Sequence, residues 1–183
     1  MRLIQKPLPG EYPEYSSIYL DLLDNDGMVL DHLWNNYLEI KKYIYSLPED
    51  KLNYRYAEGK WTIKEILVHN IDDERIFSYR ALRNARNDST PVHGFEQDTY
   101  AKYSNANDRS LDSIFEEYEA VRKSTILLFQ NLPEESFTRK GGGIDDDGSI
   151  VNVRTVRGLA YHIAGHELRH FNIIKERYLN ELV

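Results

Sequence analysis

The chain of 183 residues contains no cysteine. This absence excludes disulfides, a thiolate nucleophile, iron–sulfur clusters and every zinc site that uses cysteine ligands. Any metal ion must therefore be held by nitrogen and oxygen atoms, and the six histidines become the side chains of most interest.

Long apolar runs are also missing. Nowhere do roughly 18 apolar residues follow one another, and residues 1–15 lack the apolar segment of a secretory signal. Cationic residues are in the minority, with 23 Lys and Arg against 30 Asp and Glu and a net charge of −7, which argues against binding the phosphates of nucleic acids. We therefore expect a cytoplasmic protein that binds neither membranes nor nucleic acids.

Four segments show the apolar periodicity of amphipathic helices. They cover about 28–46, 61–85 and 110–131, and a last segment from about 152 almost to the C-terminus. Thr62 and Glu65 form a Thr-x-x-Glu capping box at the start of the second segment. Four long helices without a convincing run of strands predict an all-α four-helix bundle, and the length predicts one domain over residues 1–183.

Three segments lie outside the predicted helices. The first 25 residues contain three prolines and are predicted to form an extended arm that packs its tyrosines along the outside of the bundle. Residues 87–107 show no sustained period and are predicted to be a long connection. The glycine-rich stretch 141–148 is typical of turns and of a short hairpin that leads into Ile150 and Val151.

The fourth predicted helix carries three histidines spaced by four residues, His162, His166 and His170. Side chains four apart on a helix differ by about 40° in direction and by about 6 Å in height, so the three imidazoles share one face. Two neutral imidazoles at this separation can bind one divalent ion. A single histidine on an apolar face is more often a core residue, but three in register indicate metal binding.

His69 is the candidate for a further ligand from another helix. It lies on the inward stripe of the second helix with Ile63 and Ile66, where an imidazole without a partner would cost free energy. Asp72 and Asp73 follow about one turn later. Either carboxylate could accept the ring N–H of a metal-bound histidine and fix its orientation, or both could be solvated surface groups.

Residues 166–170 also spell His-Glu-x-x-His, the zinc-protease motif in which two histidines bind zinc and the glutamate activates water. Zincins take their third ligand downstream, whereas only Glu176 and Glu181 follow here among acidic residues, and no substrate-aligning edge strand is evident. A zinc peptidase is therefore the least favoured alternative. Glu167 stays a candidate catalytic base, although it points about 100° around the helix from His166.

Residues 55–65 (RYAEGKWTIKE), 68–72 (VHNID) with 74–82 (ERIFSYRAL), and 163–170 (IAGHELRH) resemble the DinB/YfiT-like superfamily. The resemblance implies a four-helix bundle of up-down-down-up connectivity, often a homodimer, with three histidines on one divalent ion, usually zinc or nickel. Transferred to this sequence, the ligands are His69, His166 and His170. His162 is then an extra imidazole that either lies beside the ligands or replaces His170.

Three neutral histidines with an open position are typical of a catalytic metal site, since structural zinc sites are closed by four protein ligands. Such an ion keeps its charge and lowers the pKa of a bound water or thiol. The expected function is therefore a metal-dependent transferase or hydrolase that acts on a small molecule, and the resemblance favours the transferase, with a low-molecular-weight thiol as co-substrate. The alternative is a non-catalytic metal-binding or stress-related scaffold, which a fourth protein ligand would favour.

Two further features of the last helix bear on the site. Arg154, Arg157 and Arg169 are candidates for binding an anionic group of a substrate, or are surface charges. Gly165 lies in the middle of the predicted helix, where glycine costs about 1 kcal/mol relative to alanine. We therefore expect a facing helix or the substrate to approach Gly165 closely.

Overall fold

The computed structural model describes residues 1–88 and 90–179. The helices of this part of the chain are, in order, α1 (Ser17–Leu20), α2 (Val29–Tyr45), α3 (Glu49–Leu52), α4 (Ile63–Ala85), α5 (Gln97–Tyr103), α6 (Leu111–Gln130) and α7 (Val156–Ile173), with a π-helical turn at Ile174–Tyr178. The strands are β1 (Val92–His93), β2 (Lys140–Ile144) and β3 (Ile150–Thr155). Helices α2, α4, α6 and α7 form the predicted four-helix bundle, and a small sheet lies beside it.

Helices α4 and α7 pack against each other in opposite directions. His69 near the start of α4 contacts His166, whereas Phe77, farther along α4, stacks on His162. As the residue number rises along α4 it therefore falls along α7, and the functional residues of the two helices lie along one shared groove.

Helices α4 and α6 pack in the same direction. Glu74 of α4 forms an ion pair with Arg122 of α6, and Ser78 of α4 is hydrogen-bonded to Thr125. A parallel pair of neighbouring helices requires a long connection, and residues 86–110 supply it.

Helix α2 runs parallel to α7. Asn36 donates a hydrogen bond to Glu167, and Tyr43, two turns later, lies edge-on to Phe171. Since α7 is antiparallel to α4 and α4 is parallel to α6, the four helices run up, down, down and up. The predicted connectivity is confirmed.

The prediction that the fourth helix begins near Asn152 is wrong. Residues Ile150–Thr155 pair with β2 in an antiparallel hairpin, and α7 begins at Val156. The Thr155 hydroxyl accepts a hydrogen bond from the backbone N–H of Gly158, which satisfies one free amide at the start of α7. The predicted hairpin is confirmed, and the expected extension of the helix beyond Leu179 lies outside the described residues.

Two segments contain more regular structure than predicted. The connection 87–107 holds β1, which pairs parallel with β2, as well as α5, whose first amides are capped by the Glu96 side chain. The N-terminal arm is not extended throughout, because residues 14–20 form two short helices and Leu20 is buried. Elements this short leave no detectable period in the sequence.

The core consists of two apolar clusters stacked along the bundle axis. One contains Phe77 with the first half of α7, and the other contains Ile63 and Ile66 with Phe171. The buried polar side chains of α4, α6 and α7 include the predicted ligands His69 and His166, whereas the third predicted ligand, His170, is partly exposed. Within residues 1–88 and 90–179, no helix combines the length and the apolar character needed to cross a bilayer.

Candidate metal centre

Three imidazoles converge in the groove between α4 and α7. Nε2 of His69 lies 3.3 Å from Nε2 of His166, and Nε2 of His170 lies 3.2 Å from the same atom. Ligand atoms of all three residues lie within 4.8 Å of one another. Two nitrogens bound at about 2.05 Å to a tetrahedral ion are separated by about 3.3 Å, so these spacings fit one metal ion.

Burial keeps these imidazoles neutral. It is the main reason that the pKa values of His69 and His166 fall to about 4, and the charge of Asp73 opposes this fall. The pKa of His170 is also lowered well below its ordinary value, again chiefly by burial. Neutral imidazoles present lone pairs, and converging lone pairs repel each other unless a proton or a cation lies between them. The donor set therefore fits a divalent cation.

Asp73 is the carboxylate that reaches the cluster. Its Oδ2 lies 3.5 Å from Nδ1 of His166 and 3.7 Å from Nε2 of His162, and the residue is only 4% exposed. Burial alone would raise the pKa of Asp73, but the neighbouring His166 and His162 rings hold it below its ordinary value. When Nε2 of His166 binds an ion, its proton resides on Nδ1, which faces this carboxylate.

Asp72 is not brought to the cluster. Its carboxylate lies 3.8 Å from Arg75 and lines a separate cavity with Tyr100 and Arg109. Neighbouring positions on a helix point about 100° apart, so Asp72 and Asp73 cannot face the same groove.

His162 lies one turn before His166 but outside the three-histidine cluster. Its ring stacks on Phe77 with centroids 4.0 Å apart, and Tyr19 lies edge-on at 5.2 Å. Among residues 1–88 and 90–179, neither ring nitrogen of His162 has a hydrogen-bond partner, and burial lowers the pKa of this ring. The structure thus groups His170, and not His162, with His69 and His166.

Glu167 lies in the bundle core and not beside the imidazoles. Its carboxylate is 2.6 Å from Nη2 of Arg122, and it accepts hydrogen bonds from Tyr118 at 2.7 Å and Asn36 at 3.1 Å. Arg122 is fully buried and also binds Glu74 at 2.8 Å. These donors occupy both carboxylate oxygens of Glu167, so the geometry does not favour its predicted role as a base.

Sequence reasoning missed Trp61, which borders the cluster. Its ring centroid lies 4.6 Å from that of His69 and 6.1 Å from that of His170, and the indole N–H donates to Asp98 at 3.0 Å. Trp61 precedes the first residue of α4, where helical periodicity no longer indicates the direction of a side chain. The one sequence signal for its location was its position just before the cap residue Thr62, which places it at the start of the helix that carries His69.

The cluster is accessible on the Trp61 side. His170 is partly exposed and lines, with Trp61, Tyr56 and Tyr178, a cavity of about 310 Å³. A small molecule in this cavity would lie next to the converging nitrogens.

The three arginines near the last helix have different surroundings. Arg157 forms an ion pair with Glu11 of the N-terminal arm, and Arg169 is exposed. Arg154 is buried, at 2% exposure.

The fold and the histidine cluster define a four-helix-bundle protein with a candidate metal centre of three histidines. Residues 29–174 match the family model of the DinB superfamily, and the chain belongs to this superfamily.

Relatives and a solved structure agree with this assignment. The chain is 28% identical over 152 residues to "Putative metal-dependent hydrolase OB0413" of Oceanobacillus iheyensis, covering 78% of this chain and 83% of the relative. It is 20% identical over 169 residues to "Putative metal-dependent hydrolase YfiT" of Bacillus subtilis, covering 92% of each. The solved YfiT structure, described as a probable metal-dependent hydrolase with an unusual four-helix bundle topology, superposes with a TM-score of 0.70 at 14% identity and covers 94% of this chain and 91% of YfiT. This structural likeness shows the fold.

Proposed function

We propose that this protein is a metal-dependent hydrolase that acts on a small molecule through His69, His166 and His170. The observation that carries the proposal is the position of His170, which belongs to the cluster and also lines a cavity of about 310 Å³. Structural zinc sites are closed by four protein ligands, whereas the cluster within the described residues has three members. The names of the two relatives support hydrolysis as the reaction.

The surrounding residues support the imidazoles in this role. Asp73 faces Nδ1 of His166 and fixes the tautomer that leaves Nε2 free for a ligand. Trp61 packs beside His69 and His170 and forms part of the wall of the cavity next to them. A divalent ion, when bound, would polarise a substrate oxygen and lower the pKa of a coordinated water or thiol. Zinc and nickel both suit imidazole ligands.

A transferase that uses a low-molecular-weight thiol is the second candidate. A reaction between two substrates needs room for both, and a second cavity, of about 840 Å³, is lined by Phe77, whose ring stacks on His162.

The remaining alternatives have less support. A scaffold closed by a fourth ligand is not favoured, because His162 lies outside the cluster and His170 borders a cavity. A peptidase that uses Glu167 as its base is not favoured, because Arg122 binds that carboxylate in the core. The homodimer and the cytoplasmic location stay predictions from the sequence.

The test compares the metal-free protein with protein reloaded with Zn²⁺ or Ni²⁺. We expect the ion to restore turnover of an ester or amide panel without added thiol, and we expect His69→Ala to abolish it. His32→Ala is the matched control, since His32 pairs with Asp26 away from the cluster. Turnover that requires both a thiol and an electrophile would indicate the transferase. Metal binding without turnover in either assay would contradict an enzymatic role.

A further inference from the structure

Two arginine side chains meet in the α4–α7 groove beyond His162. Arg80 lies on α4 and Arg154 near the end of β3. Their guanidinium carbons lie 4.9 Å and 5.3 Å from the ring centroid of Phe77. Phe77 in turn stacks on His162, so the two cations are neighbours of the row of imidazoles.

The described residues neutralise these cations only in part: burial and then Arg154 lower the pKa of Arg80, and the charge of Asp73 opposes them. Within the described residues, Arg80 and Arg154 form no ion pair with a carboxylate, and their hydrogen bonds go to neutral acceptors. Arg80 donates to the carbonyl of His93 at 3.3 Å. Arg154 donates to the carbonyl of Asn152 at 3.0 Å and to the hydroxyls of Tyr15 at 2.5 Å and Ser16 at 3.2 Å. The Nε–H of Arg154, a residue that is 2% exposed, has no hydrogen-bond partner in the part of the chain that the structure describes. A buried cation without an anion is costly.

The buried Arg122 shows how this protein otherwise treats such a charge. Arg122 is fully buried between the carboxylates of Glu74 and Glu167. At Arg80 and Arg154 two like charges lie together instead, and the pKa of Arg80 is lowered by burial and then by the charge of Arg154. The comparison with Arg122 indicates that an anion that is not part of this chain neutralises Arg80 and Arg154.

The two arginines line a cavity that is large enough for a small molecule. The cavity measures about 840 Å³ and is bordered by Phe77 and Tyr15, with acidic residues elsewhere on its wall: Glu96, Asp145 and Asp146. Two of these carboxylates accept backbone amides: Glu96 caps α5, and Asp145 accepts the amide of Asp146. Pockets that bind small ligands have volumes of about 300–1,000 Å³.

We propose that Arg80 and Arg154 bind an anionic group, a carboxylate or a phosphate, of the small-molecule substrate. The planar guanidinium matches both groups with paired hydrogen bonds. Phe77 and His162 lie between the two arginines and the cluster, with ring centroids 4.0 Å apart for Phe77 and His162 and 5.5 Å apart for His162 and His166. Assigning the anion to the substrate rests on the proposed function, whereas anion binding itself does not require the metal.

The test is a titration of the metal-free protein with inorganic phosphate and, separately, with acetate at constant ionic strength. Nitrogen–proton NMR follows the Nε–H signals of Arg80 and Arg154, which are assigned by their loss in Arg80→Gln and Arg154→Lys. We expect saturable shifts of both signals and an affinity weaker by about tenfold or more in Arg80→Gln. Tighter binding of phosphate or of acetate identifies which anionic group the site prefers.

Arg86→Gln is the matched control, because Arg86 is exposed at the end of the same helix and loses the same charge. It should bind both anions like the wild type. His69→Ala should also keep the response while losing the metal, which separates failure of the anion site from failure of the proposed function. Shifts that do not saturate, equal affinities in Arg80→Gln and wild type, or loss of the response in His69→Ala would overturn the proposal. Arg80 is only partly buried, so Arg80→Gln is expected to fold. If Arg154→Lys does not fold, the anion affinity of Arg80→Gln alone tests the proposal.

Discussion

Gly165 of α7 lies directly against the backbone of Tyr19 in α1. A Cβ atom at position 165 would lie 2.3 Å from the carbonyl oxygen of Tyr19, a distance that real Cβ contacts do not reach. This close approach places the Tyr19 ring 5.2 Å from His162 and 5.4 Å from His166. The glycine therefore lets the N-terminal segment cover the row of histidines, which is the close approach that the sequence led us to expect.

Gly165→Ala should destabilise the protein by about 1–3 kcal/mol, because the added methyl group meets backbone atoms that cannot rotate away. Chemical denaturation measures the change in the free energy of unfolding. Gly94→Ala is the control, since a Cβ there meets no atom within 4 Å, and it should change stability by less than about 0.5 kcal/mol. Equal midpoints for the two variants would contradict the contact with Tyr19.

Asp73→Asn should weaken metal binding by about 10- to 100-fold, because the neutral amide supports the Nδ1–H of His166 less strongly than a carboxylate does. Competition with a chelator of known affinity measures the change. Asp72→Asn is the matched control on the adjacent position, where the carboxylate lies near Arg75. Equal losses in the two variants would show that net charge, and not the contact with His166, sets the affinity.

Glu167→Gln should destabilise the fold by about 3–5 kcal/mol, because the buried Arg122 loses one of its two carboxylate partners. Thermal and chemical unfolding measure the loss, and Glu116→Gln on the exposed face of α6 should have little effect. At temperatures where the variant is folded, the pH profile of any metal-dependent turnover should match that of the wild type. Disappearance of an ionisation from that profile would instead identify Glu167 as a base.

The metal-free protein should lose stability as the pH falls from about 6.5 toward 4. In the unfolded chain the histidines take up protons near their ordinary pKa of 6.5, whereas folded His69 and His166 stay neutral until about pH 4. The unfolded state therefore binds more protons in this interval, and the free energy of unfolding decreases with falling pH.

Unfolding midpoints measured across this pH interval in the presence of a chelator check the expectation. His69→Gln removes one of the groups and should lose less stability over the interval than the wild type does. His32→Gln lies outside the cluster and should follow the wild type. A wild-type curve that is flat, or that rises on acidification, would contradict neutral buried imidazoles.

Much of the fold was predictable from the sequence because its signals are local. The Thr62–Glu65 capping box and the apolar period mark the start and length of α4, and both are present in the structure. The elements that the sequence did not predict are short: β1 and α5 both lie within the long connection. Their stability comes from pairing and capping with other segments, which no single window of sequence shows.

The sequence by itself determined that three imidazoles share one helical face and that His69 lies on an inward stripe, because helical geometry fixes such spacings. Tertiary structure decided that His170 and not His162 joins the cluster, that Asp73 and not Asp72 faces it, and that Glu167 turns to Arg122. It also decided that Arg80 meets Arg154, residues far apart in the chain. These outcomes depend on how each helix is rotated about its axis and packed on its neighbours. That rotation is fixed by the burial of apolar side chains against segments that are distant in the sequence.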